Sequence, residues 1–456
     1  MFTQLIFIII LLLLTSFTRT NDDYLQWAAG LGAYVLLLGL IAYQNYAYKK
    51  SSSHRKEALN FLTSVELTAF IALSCIFIGV PKTFYFPSSS LVVYNFFLYF
   101  FGLFFFHYTY PKKFPAASSA ANQIIILVPF ILPLLVYTFI NDLLLLAGYN
   151  LEAQSFVVIA LFGFTFALVL LMLMPPVLLL FWRCKPLNDI AFVQPFQSVC
   201  AKANFRHGGF KVWTVLNHIP TAAIIGLISK FRYVMFTRTL LNRLSIEPLK
   251  AVLAHEIGHS KRRHLFKLPF VLLGMGVTAT LILSFFEEGT VVFFNHLAKV
   301  FPFHYWREME IVFLFVLTAI TAALYIRYVF GYFSRLFEKE ADLYGIEIGL
   351  PASSMIDALE GIAVATGNSH ETPSWHHDSI ANRIRFIQKA EANPLLIGEH
   401  KRRARRSLII YGVCLLSGIL FLTAPYYPEI QLFKTLNALG LSIEKGLTSM
   451  ISSLFP

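Results

Sequence analysis

The chain has 456 residues, 57% of them hydrophobic and 14% charged, with a mean hydropathy of +0.64. That balance excludes an ordinary soluble globular protein and indicates a chain that crosses a membrane many times. The formal net charge of +12 needs no nucleic-acid partner, because the Lys and Arg residues collect in alternate loops between apolar stretches.

Leu5 to Leu14 form an apolar start, read as an uncleaved anchor in preference to a signal peptide, since no Lys or Arg precedes them. Stretches long enough to span follow near Trp27 to Tyr46, Leu59 to Val80, Leu91 to Tyr108, Gln123 to Leu146, Phe156 to Phe181, Leu265 to Phe286, Ile311 to Phe330 and Leu408 to Ala424. Lys49, Lys50, Arg55 and Lys56 lie in one loop and Lys112 and Lys113 in the next but one, while the loops between carry only Lys82. Downstream, Trp182 to His264 is strongly basic, Glu287 to Glu310 is net acidic, and Gly331 to Ser407 ends in the basic run Lys401 to Arg406. All basic segments thus fall on one side, the cytoplasmic side by the positive-inside rule.

The expected fold is all-α, a polytopic membrane helical bundle of eight or nine spans with a helical domain at the cytoplasmic side. The expected divisions are 1–181, a multi-pass region; 182–407, a domain with an inserted transmembrane hairpin at about 265–330; and 408–456, a final span with an amphipathic tail. Cys75 and Cys414 lie in apolar spans, while Cys184 and Cys200 lack C-x-x-C spacing, so neither a disulfide framework nor a thiolate metal site is indicated.

His255-Glu256-Ile257-Gly258-His259 is an H-E-x-x-H sequence led into by Glu247 to Ala254, with Ser245 as candidate N-cap and Pro248 in the first turn. Residues four apart share a helix face, so both imidazoles reach one metal ion, and Glu256 sits beside it as a proton acceptor. This is the metalloprotease arrangement, and it points to a zinc hydrolase. Gly258 costs helix stability and signals something packed closely against this helix.

Zinc takes three protein ligands plus water, so a third ligand is missing. Arg335 to Asp342 continues the returning hairpin helix in the same compartment as His255. Glu338 and Asp342, four apart, share a face: Glu338 as ligand, Asp342 one turn on to orient an imidazole, with Glu340 pointing elsewhere. The alternative is an ordinary solvated helix face. His376 and His377 precede a helix at Asp378 to Ile384, either supplying a donor to a developing oxyanion, with Arg383 as structural or carboxylate-binding partner, or standing as exposed loop residues beside a helix cap at Asp378 or Ser379. His207, His218 and His264 are reserve ligand candidates, but each lacks a partner at ligand spacing and reads as structural.

Taken together, these blocks resemble the integral-membrane zinc metalloproteases of the M48 peptidase family, which includes CAAX prenyl endopeptidases and HtpX-type proteases. The resemblance runs through Ala222 to Leu227, Phe236 to Leu241, Leu253 to His259, Glu338 to Asp342 and His377 to Ile384, and covers roughly Trp182 to Gln388. It implies one zinc ion per chain held by His255, His259 and Glu338, with Glu256 as general base and Asp342 behind the ligands. It likewise implies His377 and Arg383 as the His and Arg of a motif lying over the zinc. The family commonly has Asn before the Ala-Ala pair, where this chain has Thr221, which keeps one donor but no amide, and Pro after the His, where this chain has Asp378.

The expected function is a membrane-embedded zinc endopeptidase acting on membrane-associated or lipidated proteins, with the bilayer and peptide or protein substrates as partners. The alternatives are an HtpX-like quality-control protease and, from another class, a non-catalytic membrane scaffold or transporter. A site-2-type intramembrane protease is disfavoured by the absence of an L-D-G motif and by Lys250, Lys261, Arg262 and Arg263 flanking the metal helix.

Overall fold

The structure is a computed structural model that describes residues 20–21, 24–47, 53–73, 80–81, 88–109, 116–151, 153–215, 219–301, 306–365, 370 and 378–426, with a few positions between 438 and 449. Its contacts divide the chain into two units, one of residues 1–187, 207–217 and 225–235, the other of the remainder.

In the first unit a short parallel pair, β1 (Thr20–Asn21) with β2 (Val80–Pro81), accompanies the long helices α1 (Tyr24–Ala47), α2 (Ser53–Leu73), α3 (Ser88–Thr109), α4 (Ala116–Leu146) and α5 (Phe156–Phe181). Helix α5 contains no acidic or basic residue. A helix satisfies all its backbone groups internally, so such a segment is stable in hydrocarbon. Leu161, Phe164 and Leu180 accordingly remain exposed along it. Between helices the joints are polar. The fully buried Asn45 of α1 donates from Nδ2 to the Phe106 carbonyl at 3.0 Å and to Thr109 Oγ1 at 2.8 Å, both on α3. After α5, Trp182 stacks on Trp213 with ring centres 4.5 Å apart, where β3 (Lys185–Pro186) pairs antiparallel with β4 (Gly209–Trp213).

The second unit is built from α6 (Ile190–Lys202), β5 (Ala222–Ile225), the end of β6 (Tyr233–Thr237), α7 (Arg238–Arg243), α8 (Ile246–Lys261), α9 (His264–Val300), α10 (Trp306–Leu324), α11 (Gly331–Glu347), α12 (Ala352–Ala365), α13 (Ile380–Ala392) and α14 (Leu395–Thr423). A π-helical turn, Tyr325–Phe330, joins α10 to α11 without a break. This is the helical continuation expected from the sequence. The core lies where Ala251 of α8 meets Met355 and Leu359 of α12 and Ile384 and Ile387 of α13. Phe196 of α6 stacks on Phe236 at 4.7 Å.

The all-α reading holds, and the structure adds the short strands. Five helices among the described residues are long and apolar enough to cross a membrane, at Ala28–Tyr46, Leu161–Phe181, His264–Val300, Met309–Glu347 and Leu395–Thr423. The other expected spans fall on α2, α3 and α4, of which the apolar stretches Leu62–Ile71, Val92–Phe106 and Ile131–Leu146 lie among the described residues. Leu5 to Leu14, Cys75 and most of the expected tail lie outside the described residues.

Candidate metal centre

Helix α8 begins with Ser245 at the cap position in extended backbone (φ −71°, ψ 171°), although its side chain makes no capping bond. One face of the helix is apolar and buried from Pro248 to Ile257. His255 is buried with it, and His259, one turn on, is partly exposed. Gly258 stands against α11: a methyl group there would lie 2.9 Å from Tyr344 Cβ and 3.2 Å from Ala341 Cα. Only glycine lets the two helices approach this closely, and α11 carries the acidic residues.

Three of those acids are buried, Glu338, Glu340 and Asp342. A solvated surface helix does not bury three carboxylates. Glu338 Oε2 lies 3.7 Å from His255 Nε2, Glu338 Oε1 lies 3.4 Å from His259 Nε2, and the two Nε2 atoms are 3.2 Å apart. One donor atom from each residue falls within 4.8 Å of the others. Donors about 2.0–2.1 Å from a tetrahedral ion are about 3.3 Å from one another, so the set fits a zinc-sized ion without rearrangement. Burial opposes charge on His259, but the hydrogen bond and field of Glu338, with Glu256 and Asp342 behind it, hold its pKa above the ordinary imidazole value. The pocket is therefore strongly attractive to a cation.

Each imidazole is also held through its other nitrogen. His255 Nδ1 lies 2.9 Å from Asp342 Oδ1. Arg383 of α13 grips that same carboxylate from the far side, Nε donating to Oδ2 at 2.8 Å and Nη2 to Oδ1 at 2.5 Å. Burial disfavours the Arg383 charge, yet Asp342 raises its pKa further beyond the ordinary range. Arg383 is thus committed to Asp342, with Glu338 Oε2 3.7 Å away. His259 Nδ1 lies 2.9 Å from His264 Nδ1, and His264 Nε2 lies 3.0 Å from Glu340 Oε2. This last chain is not evident in the sequence, where His264 reads as structural, or in reserve as a ligand, and Glu340 as pointing elsewhere. The signal was present in the five-residue step from His259 to His264. It takes effect because Arg263 between them adopts the left-handed conformation (φ 57°), which turns the backbone sharply between α8 and α9.

A cavity of about 600 Å³ opens over these groups. Glu256, His255, His259 and Glu338 line it, as do the β5 residues Ala222, Ala223 and Ile224 with Thr221 before them. Thr221 is tied to Thr237 by backbone and hydroxyl: its N–H donates to Thr237 Oγ1 at 3.1 Å, and Thr237 N–H donates to its carbonyl at 3.0 Å. Its own hydroxyl turns back on the Ala222 carbonyl at 3.3 Å. Asp378 and Arg383 reach the same cavity. Ser379, not Asp378, caps α13, accepting from Asn382 N at 3.2 Å. Asp378 pairs with Lys339 at 2.8 Å. His377, like His376 and His218, lies outside the described residues.

Residues 190–391 match the family model of peptidase family M48. This segment is similar to the M48 peptidases. It contains every residue named around the cavity, and the chain joins it to helices of membrane-crossing length. Among solved structures, the crystal structure of S. mikatae Ste24p is similar at 16% identity and a TM-score of 0.45, covering 79% of this chain and 98% of that one. No curated protein matches the chain.

Proposed function

We propose that the protein is a zinc endopeptidase of the membrane, holding one zinc ion per chain on His255, His259 and Glu338 and cleaving peptide bonds of membrane-associated or lipidated proteins at the cytoplasmic face. The observation that carries this reading is the convergence of those three donors at tetrahedral spacing with Glu256 in the same cavity. The three-part division of the chain read from its sequence, with the M48 domain built around a transmembrane hairpin, goes with this reading.

When bound, zinc polarises a substrate carbonyl and makes a water molecule acidic enough to react near neutral pH. The charges suit a dication: Asp342 and Arg383 cancel each other, and Glu338 with Glu256 supply the two negative charges. Asp342 Oδ1, 2.9 Å from His255 Nδ1, favours the proton on that nitrogen and so the Nε2 lone pair for a metal. Glu256 is one residue from a ligand and free of that role; it accepts a proton from the attacking water and passes it to the departing amine. The β5 residues beside it offer an extended strand along which a substrate peptide can lie. By resemblance His377, next to the cavity-lining Asp378, is assigned to the carbonyl oxygen as charge develops on it.

The test is zinc content and cleavage of a quenched peptide in detergent by the wild type, Glu256→Gln and Glu338→Ala. Glu256→Gln is expected to keep zinc and lose activity by about 10²- to 10⁴-fold, while Glu338→Ala loses both. Normal cleavage by Glu256→Gln, or a wild type without zinc, sinks the proposal.

A further inference from the structure

The contacts of His264 fix which of its nitrogens donates and which accepts. Glu340 is buried, with Lys267 Nζ 3.7 Å and Arg262 Nε 3.8 Å from its carboxylate, so it is held as an acceptor. His264 Nε2, at 3.0 Å, must then donate to it. A neutral imidazole that donates at one nitrogen accepts at the other, so His264 Nδ1 accepts from His259 Nδ1 at 2.9 Å. A proton is thereby fixed on His259 Nδ1, so Nε2, which faces Glu338 and His255 Nε2, is the nitrogen that gives up its proton to hold a metal. His264 is itself fixed: it is 1% exposed and lies flat on Phe337, ring centres 4.6 Å apart and 14° from parallel.

We infer that His264, backed by Glu340, is a positioning residue that sets the tautomer and orientation of His259 for metal binding. On the other ligand, Asp342 does the same work directly. The two histidines therefore receive their orienting acceptor by different routes, His255 from a carboxylate and His259 from a carboxylate relayed through a second imidazole. The relay is needed because Glu340 faces the α9 side of its helix, and only the sharp turn at Arg263 brings an acceptor back to His259.

The inference rests on the zinc reading above, and its test separates the two. Zinc affinity is measured by chelator competition in detergent for the wild type, His264→Phe, His264→Gln and Glu340→Gln, with the absorption bands of the cobalt-substituted proteins and the thermal midpoint of each metal-free protein. His264→Phe keeps the ring on Phe337 but has no acceptor, so affinity is expected to fall about 10- to 100-fold and the cobalt bands to shift. His264→Gln, whose side-chain oxygen can accept, is expected to recover part of that loss, and Glu340→Gln to show an intermediate one. Affinity in His264→Phe within about twofold of the wild type overturns the inference, as does a Gln variant no better than Phe with matching losses of metal-free stability, which is the mark of packing alone. A wild type that binds no zinc overturns the zinc reading and this inference together.

Discussion

Substituting Gly258 by Ala places one methyl group between the two helices that carry the proposed metal donors. The new carbon meets Tyr344 Cβ at 2.9 Å and Ala341 Cα at 3.2 Å, against an optimum of about 3.5–4.0 Å for carbon contacts. The helices must part by about half an ångström, and Ala341 is backbone, which cannot turn aside. Overpacking of this kind costs about 1–3 kcal/mol, and the helix preference of Ala over Gly returns about 1 kcal/mol. Without metal the helices are free to separate, so the stability of the metal-free protein changes little. With metal they must return to the native spacing, because donor positions matter to about 0.2 Å. The clash then weakens binding by about 1–3 kcal/mol, or roughly 5- to 150-fold. Gly345→Ala on the facing helix is the control: its methyl would meet only Ala254 Cβ at 3.7 Å and Leu350 Cδ1 at 3.9 Å, so it is expected to leave zinc affinity unaltered. The assay is chelator competition alongside thermal denaturation of the metal-free proteins. Zinc affinity in Gly258→Ala equal to that of Gly345→Ala would refute the argument that close helix approach sets the site.

Asp342→Ala leaves the Arg383 guanidinium facing no carboxylate of its own in a buried place, and a loss of about 3–5 kcal/mol in denaturant unfolding is expected; a loss below about 1 kcal/mol would show that the pair is not structural. Burial works against ionisation of Asp378, but its hydrogen bonds to Lys339 and Asn382 hold its pKa below the ordinary value. A depressed folded value means its contribution is present above the unfolded pKa of about 3.9 and is lost as pH falls through the folded one. The thermal midpoint of Asp378→Asn is therefore expected to decline less steeply below about pH 4 than that of the wild type, and parallel curves would argue against it. Chelation of zinc should lower the thermal midpoint of the wild type and of Glu256→Gln, by mass action amounting to about 4 kcal/mol at a thousandfold excess over Kd, and should leave Glu338→Ala unmoved; an equal shift in Glu338→Ala would place the metal elsewhere.

The parts of the centre that were legible in the sequence are those carried by helix spacing. His255 with His259, and Glu338 with Asp342, each lie four apart, and periodicity alone puts each pair on one face. Gly258 was legible for the same reason, as a helix breaker with no local purpose, and α11 occupies the space it leaves. What periodicity does not carry is how one helix meets another. The grip of Arg383 on Asp342 joins α13 to α11, and the contact of His264 with His259 depends on one left-handed residue between two helices. The strands were not legible either. Ala222–Ile225 is four residues long and uniformly apolar, and a run that short reads equally well as buried helix.

The two sides of the candidate metal centre are joined through α9 and α10, helices long and apolar enough to cross a membrane. His255 and His259 end the helix that leads into α9, and Glu338 begins after the chain has returned through α10 and the π-helical turn. A π turn shifts the faces of a helix relative to what precedes it, so the side of α11 that meets α8 is offset by Tyr325–Phe330 from the faces of α10. Tyr325 anchors this turn, donating to the Val271 carbonyl of α9 at 2.7 Å and meeting the Tyr411 hydroxyl of α14 at 2.9 Å. Lipid-facing apolarity and ligand placement can therefore be satisfied separately in one continuous helical run.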